Sequence, residues 1–200
     1  MTTLLKINAS LFSNQGQSSQ LADRFVAAYV AAHPGATVID RDLAANPVPH
    51  LDAERFLSFL AKPEARSEAQ QAVVAFSDAL IDELRQADQI VIGLPMYNFG
   101  VPSTLKAYFD HIARAGVTFR YTANGPQGLI NGKKVYVGFA RGGIYRDTAS
   151  DTQAPYLKSV LGFLGMTDIE FVFAEGLALG PESSNKAFAE ADAQIVQMIG

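Results

Sequence analysis

The stretch GLPMYNFGVP, from Gly93 to Pro102, places a thioether, two aromatic rings and an amide where a polar loop would be ordinary. It follows the apolar run QIVIG, which is typical of a strand buried on both faces. Aromatic rings at a strand end can border a flat ligand. Backbone amides and the Asn98 side chain can form hydrogen bonds with the edge of such a ligand. The stretch therefore predicts a site for a flat ligand. A subunit interface, or inward packing of Tyr97 and Phe99, is the structural alternative.

A second segment, ASLFSNQGQSS (Ala9–Ser19), follows another apolar run and offers hydroxyls and amides just ahead of a helix. It contains neither G-x-G-x-x-G nor G-K-[ST], so a dinucleotide fingerprint and a P-loop are both missing there. A helix N-terminus with free N–H groups and short hydroxyls can hold one phosphate without a lysine. An ordinary capped loop explains the same residues equally well.

A third segment, ARGGIY (Ala140–Tyr145), also follows a strand, and its paired glycines let backbone N–H groups approach a ligand. Alone such a pair is usually a turn, but beside the other two loops it completes a pocket with a phosphate end and an aromatic end. Residues 116–134 are too many for an ordinary helix-to-strand connection. They predict a functional lid or an interface that carries Phe119 and Tyr121.

Hydrophobic periodicity predicts the elements that position these loops. Five strands are expected, at Thr3–Asn8, Ala36–Leu43, Asp88–Leu94, Lys133–Ala140 and Asp168–Leu177. Helices are expected after a cap at Ser18 or Ser19, at 54–61 with an exposed apolar face, at Ser67–Ala87, after Pro102, at 152–165 and at Ser183–Ile199. The alternation favours an α/β fold with a parallel sheet, helices on both faces, and one domain over residues 1–200. Ligands bind such sheets at the carboxyl ends of the strands.

Composition excludes several classes of protein. Cysteine is absent from the 200 residues and the net charge is -4. Disulfides and thiolate chemistry are therefore excluded, and a cytoplasmic protein is expected. Without a basic stripe, a signal peptide or an apolar run of about 18 residues, we expect no nucleic-acid or membrane partner.

Side chains for other chemistries are not evident. The three histidines share no metal-ligand spacing, and no G-x-S-x-G hydrolase motif occurs, so we expect neither a metal nor a catalytic side chain. His111 is expected to be structural or at the surface. Arg120 and Arg141 are expected to be solvated or to steady a bound phosphate.

Several motifs together resemble the bacterial FMN-dependent NADH:azoreductases and NAD(P)H:quinone oxidoreductases. They are PMYNF at Pro95–Phe99, RAGVTFRYTANGPQGL at Arg114–Leu129, RGGIY at Arg141–Tyr145, APYLKSVLGFLG, RDLAANPVPHLD and FVFAEGLALGPE. The resemblance covers essentially the whole chain. It implies a flavodoxin-like three-layer sandwich with a five-stranded parallel sheet of order 2-1-3-4-5. It also implies a homodimer with FMN near the subunit interface.

The resemblance further implies roles for individual residues. The FMN phosphate would be held by Ser10, Gly16, Gln17 and Ser18. The isoalloxazine would be lined by Pro95, Met96, Tyr97, Asn98 and Phe99, and its other edge would meet Ala140, Arg141, Gly142 and Gly143. The acceptor cavity would be shaped by Phe99, Phe119, Tyr121 and Phe163. The family commonly has Ser at the positions of Gly16 and Ala140, so two hydroxyls are lost here.

The implied reaction is ping-pong hydride transfer, in which NADH or NADPH reduces FMN and a quinone or azo compound is then reduced. A flavin that carries the chemistry agrees with the lack of a visible nucleophile or acid–base dyad. The alternative is a flavodoxin-type electron carrier, against which the mild acidity and the long 116–134 segment count. A flavin-free interaction module with the same fold is the third reading.

Overall fold

A computed structural model describes residues 2–199, along which strands and helices alternate. The strands are β1 (Thr3–Asn8), β2 (Thr37–Asp42), β3 (Gln89–Pro95), β4 (Phe119–Thr122), β5 (Gly125–Gly128), β6 (Lys134–Ala140) and β7 (Asp168–Ala174). The α-helices are α1 (Gln17–Ala32), α2 (Ala53–Leu60), α3 (Glu68–Gln86), α4 (Ser103–Ile112), α5 (Gln153–Leu164) and α6 (Pro181–Ile199). Short 3-10 turns lie at Ser13–Gln15 and Pro63–Ala65. No helix of the described chain combines the length and apolarity needed to cross a membrane.

Five strands form one parallel sheet in the order β2-β1-β3-β6-β7. Counted along this sheet alone, the order is 2-1-3-4-5, so the predicted topology is confirmed. The chain leaves β1 toward one edge and returns to β3 on the other side of β1. The carboxyl ends of β1 and β3 are therefore the switch point, where the loops diverge and leave room for a ligand.

Side-chain alternation divides the core between the two faces of the sheet. In β1, Leu4 faces a cluster built with α1 and α6, whereas Leu5 and Ile7 face a cluster built with α3, α4 and α5. The period of two follows from the pleat, and burial on both faces explains the near-continuous apolar runs in β3 and β6. The result is the expected three-layer sandwich.

Helix α1 departs from the sequence prediction at its N-terminus, whereas helix α2 follows it. Helix α1 begins at Gln17, and its N-cap residue is Gly16, which has no side chain that could cap the helix. The predicted capping by Ser18 or Ser19 is therefore wrong. Both serines lie in the first turn, and the Ser19 hydroxyl donates instead to the Ser13 carbonyl (2.5 Å). Helix α2 forms as predicted, and its apolar face is open, with Leu60 exposed to 62%.

Residues 116–134 are not an irregular lid. They contain an antiparallel ribbon of β4 and β5, in which Phe119 pairs with Gly128. The ribbon packs on α5, where the Phe119 and Phe163 rings lie 4.3 Å apart between centroids. At Gly128 a Cβ atom would lie only 2.1 Å from the Gly165 backbone nitrogen at the end of α5. The ribbon is thus fixed to the domain by backbone contact that permits only glycine.

The close approach predicts opposite effects for two alanine substitutions. Gly128→Ala should lower the free energy of unfolding by about 1–3 kcal/mol, because a methyl group there overpacks two rigid backbones. Gly162→Ala should raise it by about 0.4–1 kcal/mol, because a Cβ at that helical position meets nothing within 4 Å. Urea unfolding curves measure both changes. Equal effects of the two substitutions would contradict the packing described for the ribbon.

Candidate functional site

A cleft opens at the carboxyl ends of β1, β3 and β6, and it consists of two adjoining cavities of about 330 and 280 Å³. The larger is lined by Ser10, Phe12, Gln15, Gly16, Gln17, Ser18, Pro95, Met96, Tyr97, Ala140 and Gly142. The smaller is lined by Met96, Asn98, Phe99, Gly142, Gly143 and Tyr145. Their shared walls make one elongated site of a size typical for small-molecule ligands.

The structure therefore brings together every predicted cofactor residue except Arg141. Three lining residues, Phe12, Gln15 and Tyr145, were not predicted. All three lie within the loops selected from the sequence. Their position after strands β1 and β6 was the signal that could have identified them, because these loops begin at the carboxyl ends of the strands, where the cleft opens.

One end of the cleft is the N-terminus of α1. The first intrahelical hydrogen bond runs from the Gln20 N–H to the Gly16 carbonyl (2.9 Å), so the N–H groups of residues 17–19 have no carbonyl one turn earlier. The Ser18 hydroxyl is buried and, within the described residues, has no hydrogen-bond partner. An anion in this position would satisfy both the hydroxyl and the N–H groups.

Gly16 and Ser10 are coupled at this end. A Cβ atom on Gly16 would lie 2.0 Å from the Ser10 Oγ, so the glycine leaves the serine hydroxyl in place. That hydroxyl accepts a hydrogen bond from the Phe12 N–H (3.1 Å). The space that a side chain at residue 16 would need is thus occupied by the Ser10 hydroxyl.

The loop before α1 is tied to strand β2 through Asp42. The Ser13 hydroxyl donates to one oxygen of this carboxylate, and the N–H groups of Ala44 (2.8 Å) and Ala45 (3.1 Å) donate to the other. Burial raises the pKa of Asp42, but these hydrogen bonds outweigh it and hold the pKa below its usual value. Asp42 is therefore an ionised anchor for the 3-10 turn that leads to the N-terminus of α1.

The other end of the cleft is a tight turn after β3. Tyr97 and Gly100 exchange backbone hydrogen bonds (3.3 and 3.0 Å), and both residues between them have positive φ, 49° at Asn98 and 64° at Phe99. This is the form of a type I′ turn, in which a phenylalanine is unfavourable. Such backbone strain costs about 1–3 kcal/mol per residue and is concentrated at functional sites.

Contacts from other loops keep the strained turn in place. The Thr152 hydroxyl donates to the Phe99 carbonyl, and the Phe99 ring meets the Tyr145 ring edge-to-face at 5.7 Å. The Tyr97 hydroxyl accepts a hydrogen bond from the Leu11 N–H (3.3 Å) in the loop after β1. The turn after β3 therefore contacts both of the other loops that line the cleft.

Arg141 is the residue whose environment differs most from expectation. Its side chain is fully buried, so the prediction of a solvated arginine is wrong. The guanidinium pairs with Asp151 (2.8 Å) and Glu175 (3.1 Å) and stacks 4.2 Å above the Phe139 ring centroid. Two carboxylates compensate the charge that burial would otherwise penalise. The side chain does not line the cleft, and the backbone N–H is engaged by the Ala174 carbonyl (2.9 Å).

The remaining aromatic candidates lie elsewhere in the chain. Phe119 and Tyr121 line a separate groove of about 520 Å³ between α2 and the ribbon, and Phe163 packs on Phe119. Of the four residues predicted to shape the acceptor cavity, Phe99 therefore lines the cleft of its own chain, whereas Phe119, Tyr121 and Phe163 do not. Arg120 is exposed and hydrogen-bonded to Gln127 (2.9 Å), as expected of a solvated residue.

His111 is structural. It is buried, its ring lies nearly perpendicular to the Phe59 and Phe76 rings, its Nδ1 lies 3.0 Å from the Ala107 carbonyl, and burial lowers its pKa. Over residues 2–199, no three acidic or histidine side chains come close enough to hold a metal ion.

Comparison with known proteins identifies the family. The family model described as flavodoxin-like fold matches residues 2–199. A relative from Dechloromonas aromatica, named FMN-dependent NADH:quinone oxidoreductase, is 57% identical over 98% of each chain. A protein of the same name from Burkholderia thailandensis is 58% identical over 96% of each chain.

Solved structures agree with this assignment. An azoreductase from Bacillus anthracis str. Sterne has a TM-score of 0.90 and 30% identity, covering 100% of this chain and 99% of its own. An FMN-dependent NADH-azoreductase from Bacillus anthracis str. Ames Ancestor, determined in complex with FMN, has a TM-score of 0.88 at 27% identity over 100% of both chains. This chain belongs to the flavodoxin-like family that includes the FMN-dependent NADH:quinone oxidoreductases and NADH-azoreductases.

Proposed function

We propose that this protein is an FMN-dependent oxidoreductase that uses NADH to reduce quinones and to cleave aromatic azo compounds by ping-pong two-electron transfer. The observation that carries the proposal is the cleft itself, with an anion-binding helix terminus at one end and a strained aromatic turn at the other. The names of relatives that are 57% and 58% identical support an enzyme rather than a flavodoxin-type electron carrier.

The residues of the cleft fit FMN group by group. Its phosphate suits the N–H groups of residues 17–19 together with the hydroxyls of Ser10 and Ser18. Its flat ring system suits the segment 96–99, with Ala140 and the paired glycines Gly142 and Gly143 at the opposite edge. Gly16 leaves room for this arrangement because it keeps Ser10 in position.

When bound, FMN supplies the chemistry of accepting and donating hydride. The protein's part is to orient the ring and to stabilise charge. Backbone N–H groups at Asn98 and at Gly142–Gly143 are the donors we assign to negative charge that develops on reduction, because preorganised donors act most strongly where charge appears. Phe99 walls the site on the side where a flat acceptor would stack.

Three further assignments belong to this proposal. Residues 1–200 form a single FMN-binding domain, since both helical layers pack on one sheet. NADH rather than NADPH is the donor, in keeping with the names of the relatives. The cytoplasm is the compartment, because a pool of reduced nicotinamide cofactor is available there.

A spectroscopic assay tests the proposed function. The purified protein mixed with FMN should show the visible absorption of a bound flavin, NADH should bleach it anaerobically, and benzoquinone should restore it. Steady-state NADH oxidation should depend on the quinone, and a parallel assay with NADPH tests the donor. A bound flavin that NADH cannot bleach would support the electron carrier, and a protein that binds no FMN would refute both flavin functions.

We also propose a homodimer. The exposed apolar face of α2 includes Phe56 and Leu60, and both border the 520 Å³ groove that Phe119 and Tyr121 also line. Continuous apolar surface of this kind marks an interaction site. Phe119, Tyr121 and Phe163 do not line the cleft of their own chain. In a dimer they would instead shape the acceptor cavity at the interface between the two subunits.

Charge placed on this face should dissociate the dimer. Leu60→Asp should shift the protein to the monomer in sedimentation velocity, because an unpaired carboxylate would be buried at the interface. Val196→Asp is the matched control, since Val196 is equally exposed (67% against 62%) but lies on α6. A wild-type monomer, or a Leu60→Asp protein that sediments like the wild type, would contradict the assignment.

The Asp42 anchor predicts a pH-dependent contribution to stability and FMN binding. At pH 7, Asp42→Asn should lower the free energy of unfolding by about 1–3 kcal/mol through loss of a charged acceptor, and should weaken FMN retention by loosening the 3-10 turn. Because the folded pKa lies below the unfolded value, the stabilisation is complete above about pH 3.9 and is lost as the pH falls through the folded pKa.

Urea unfolding of both proteins between pH 7 and pH 2 measures this dependence. The difference between wild type and Asp42→Asn should disappear at the acid end. Asp168→Asn, at the exposed start of β7, removes the same charge without these hydrogen bonds and should change neither stability nor FMN retention appreciably. A gap between wild type and Asp42→Asn that stays constant down to pH 2 would show that the ionised carboxylate is not its source.

A further inference from the structure

Gln153, the first residue of α5, has a buried side-chain amide whose partners all belong to other elements. Its Nε2 donates to the carbonyl oxygens of Pro95 (2.9 Å) and Gly100 (3.0 Å), and its Oε1 accepts from the Nε of Arg141 (3.1 Å). A primary amide has two N–H donors, and both are directed at the turn after β3. The side chain is 1% exposed and lines neither cavity of the cleft.

The two acceptors of Gln153 lie at the two ends of one functional segment. Pro95 ends β3, and Gly100 closes the turn in which Asn98 and Phe99 have positive φ. Between them are the four residues 96–99, all of which line the cleft. A single buried amide therefore holds the backbone at both ends of this segment in place.

Arg141 determines which way the amide faces. A guanidinium has donors and no acceptor, so the amide must present its oxygen to Arg141 and its nitrogen to the turn. Arg141 is itself fixed by Asp151 (2.8 Å) and Glu175 (3.1 Å). Rotation of the amide would leave buried donors and acceptors unpaired, which is costly.

The same network reaches the loop after β6. Glu175 Oε1 accepts hydrogen bonds from the N–H groups of Tyr145 (2.9 Å) and Arg146 (3.1 Å) as well as from Arg141. Tyr145 in turn lines the smaller cavity with Gly142 and Gly143. The two loops to which we assign the edges of the flavin are thus held by one hydrogen-bonded unit with Gln153 and Arg141 at its centre.

We propose that Gln153 is a positioning residue that sets the backbone of residues 96–99 against the flavin without contacting the flavin itself. The inference rests on the proposed function. Because the donor assigned to Asn98 faces charge that develops on reduction, displacement of the turn weakens binding of reduced FMN more than binding of oxidised FMN. Gln153 thereby sets both the affinity for FMN and the reduction potential of the bound flavin.

The first test is Gln153→Met, which keeps the length of the side chain and removes its donors and acceptor. The dissociation constant of oxidised FMN should rise at least tenfold, and the two-electron potential of the bound flavin should become more negative. A loss tenfold greater for reduced than for oxidised FMN corresponds to a shift of about 30 mV. Gln197→Met, at an exposed position on α6, is the matched control and should leave both quantities unchanged.

Gln153→Asn is the second test, because it retains an amide in the core and withdraws it by one methylene from the turn. It should change affinity and potential in the same direction as Gln153→Met. Folded Gln153→Met or Gln153→Asn protein with wild-type affinity and potential would overturn the proposal, including the case in which only thermal stability falls. That outcome would assign Gln153 a purely structural role.

Amide hydrogen exchange separates this proposal from the proposed function. In full-length protein prepared without FMN, the variants should lose protection in the peptide spanning residues 95–101 and keep it in β1 and β6. A wild type that binds no FMN would refute the proposed function, whatever the exchange shows. Unchanged exchange in residues 95–101 of the variants would refute the positioning role, whatever FMN does.

Discussion

The buried positive charge of Arg141 is the constraint on which the cleft depends. A desolvated guanidinium costs several kcal/mol unless it is paired and fully hydrogen-bonded, so its partners have to be where they are. Asp151 precedes α5, Glu175 follows β7, and Gln153 connects the arginine to the turn after β3. Compensating one charge therefore fixes the relative positions of segments that are far apart in sequence. The strained turn at Asn98 and Phe99 persists because this network surrounds it.

The two ends of the cleft are stabilised in different ways. The end at the N-terminus of α1 is built from a helix terminus, small hydroxyls and a glycine that leaves room for Ser10, all within residues 10–19. The aromatic end needs long-range support, because a phenylalanine with positive φ is not stable by itself. The N-terminus of α1 is thus formed by neighbouring residues, whereas the turn after β3 depends on Gln153 and Thr152, which are distant in sequence.

Much of the fold could be predicted from local pattern, because short apolar runs such as that of β3, alternating with longer segments of helical periodicity, are typical of strands buried on both faces. The cleft loops followed from the rule for parallel sheets, which needs only the strand ends. Two of the wrong predictions concern features that depend on contacts between residues far apart in sequence. The burial of Arg141 depends on Glu175, 34 residues away, and the fixed ribbon depends on backbone contact between Gly128 and Gly165. The predicted serine caps are wrong for a local reason, because α1 begins at Gln17 after Gly16 and both serines already lie inside its first turn.

A crystal structure of the protein with FMN tests the central claim most directly, because it locates every group of the ligand at once. We expect the phosphate at the N–H groups of residues 17–19 within hydrogen-bond distance of the Ser18 hydroxyl, and the ring between residues 96–99 and the Gly142–Gly143 pair. Gln153 should keep its bonds to Pro95 and Gly100. FMN bound in the groove between α2 and the ribbon, or with its phosphate away from α1, would contradict the account.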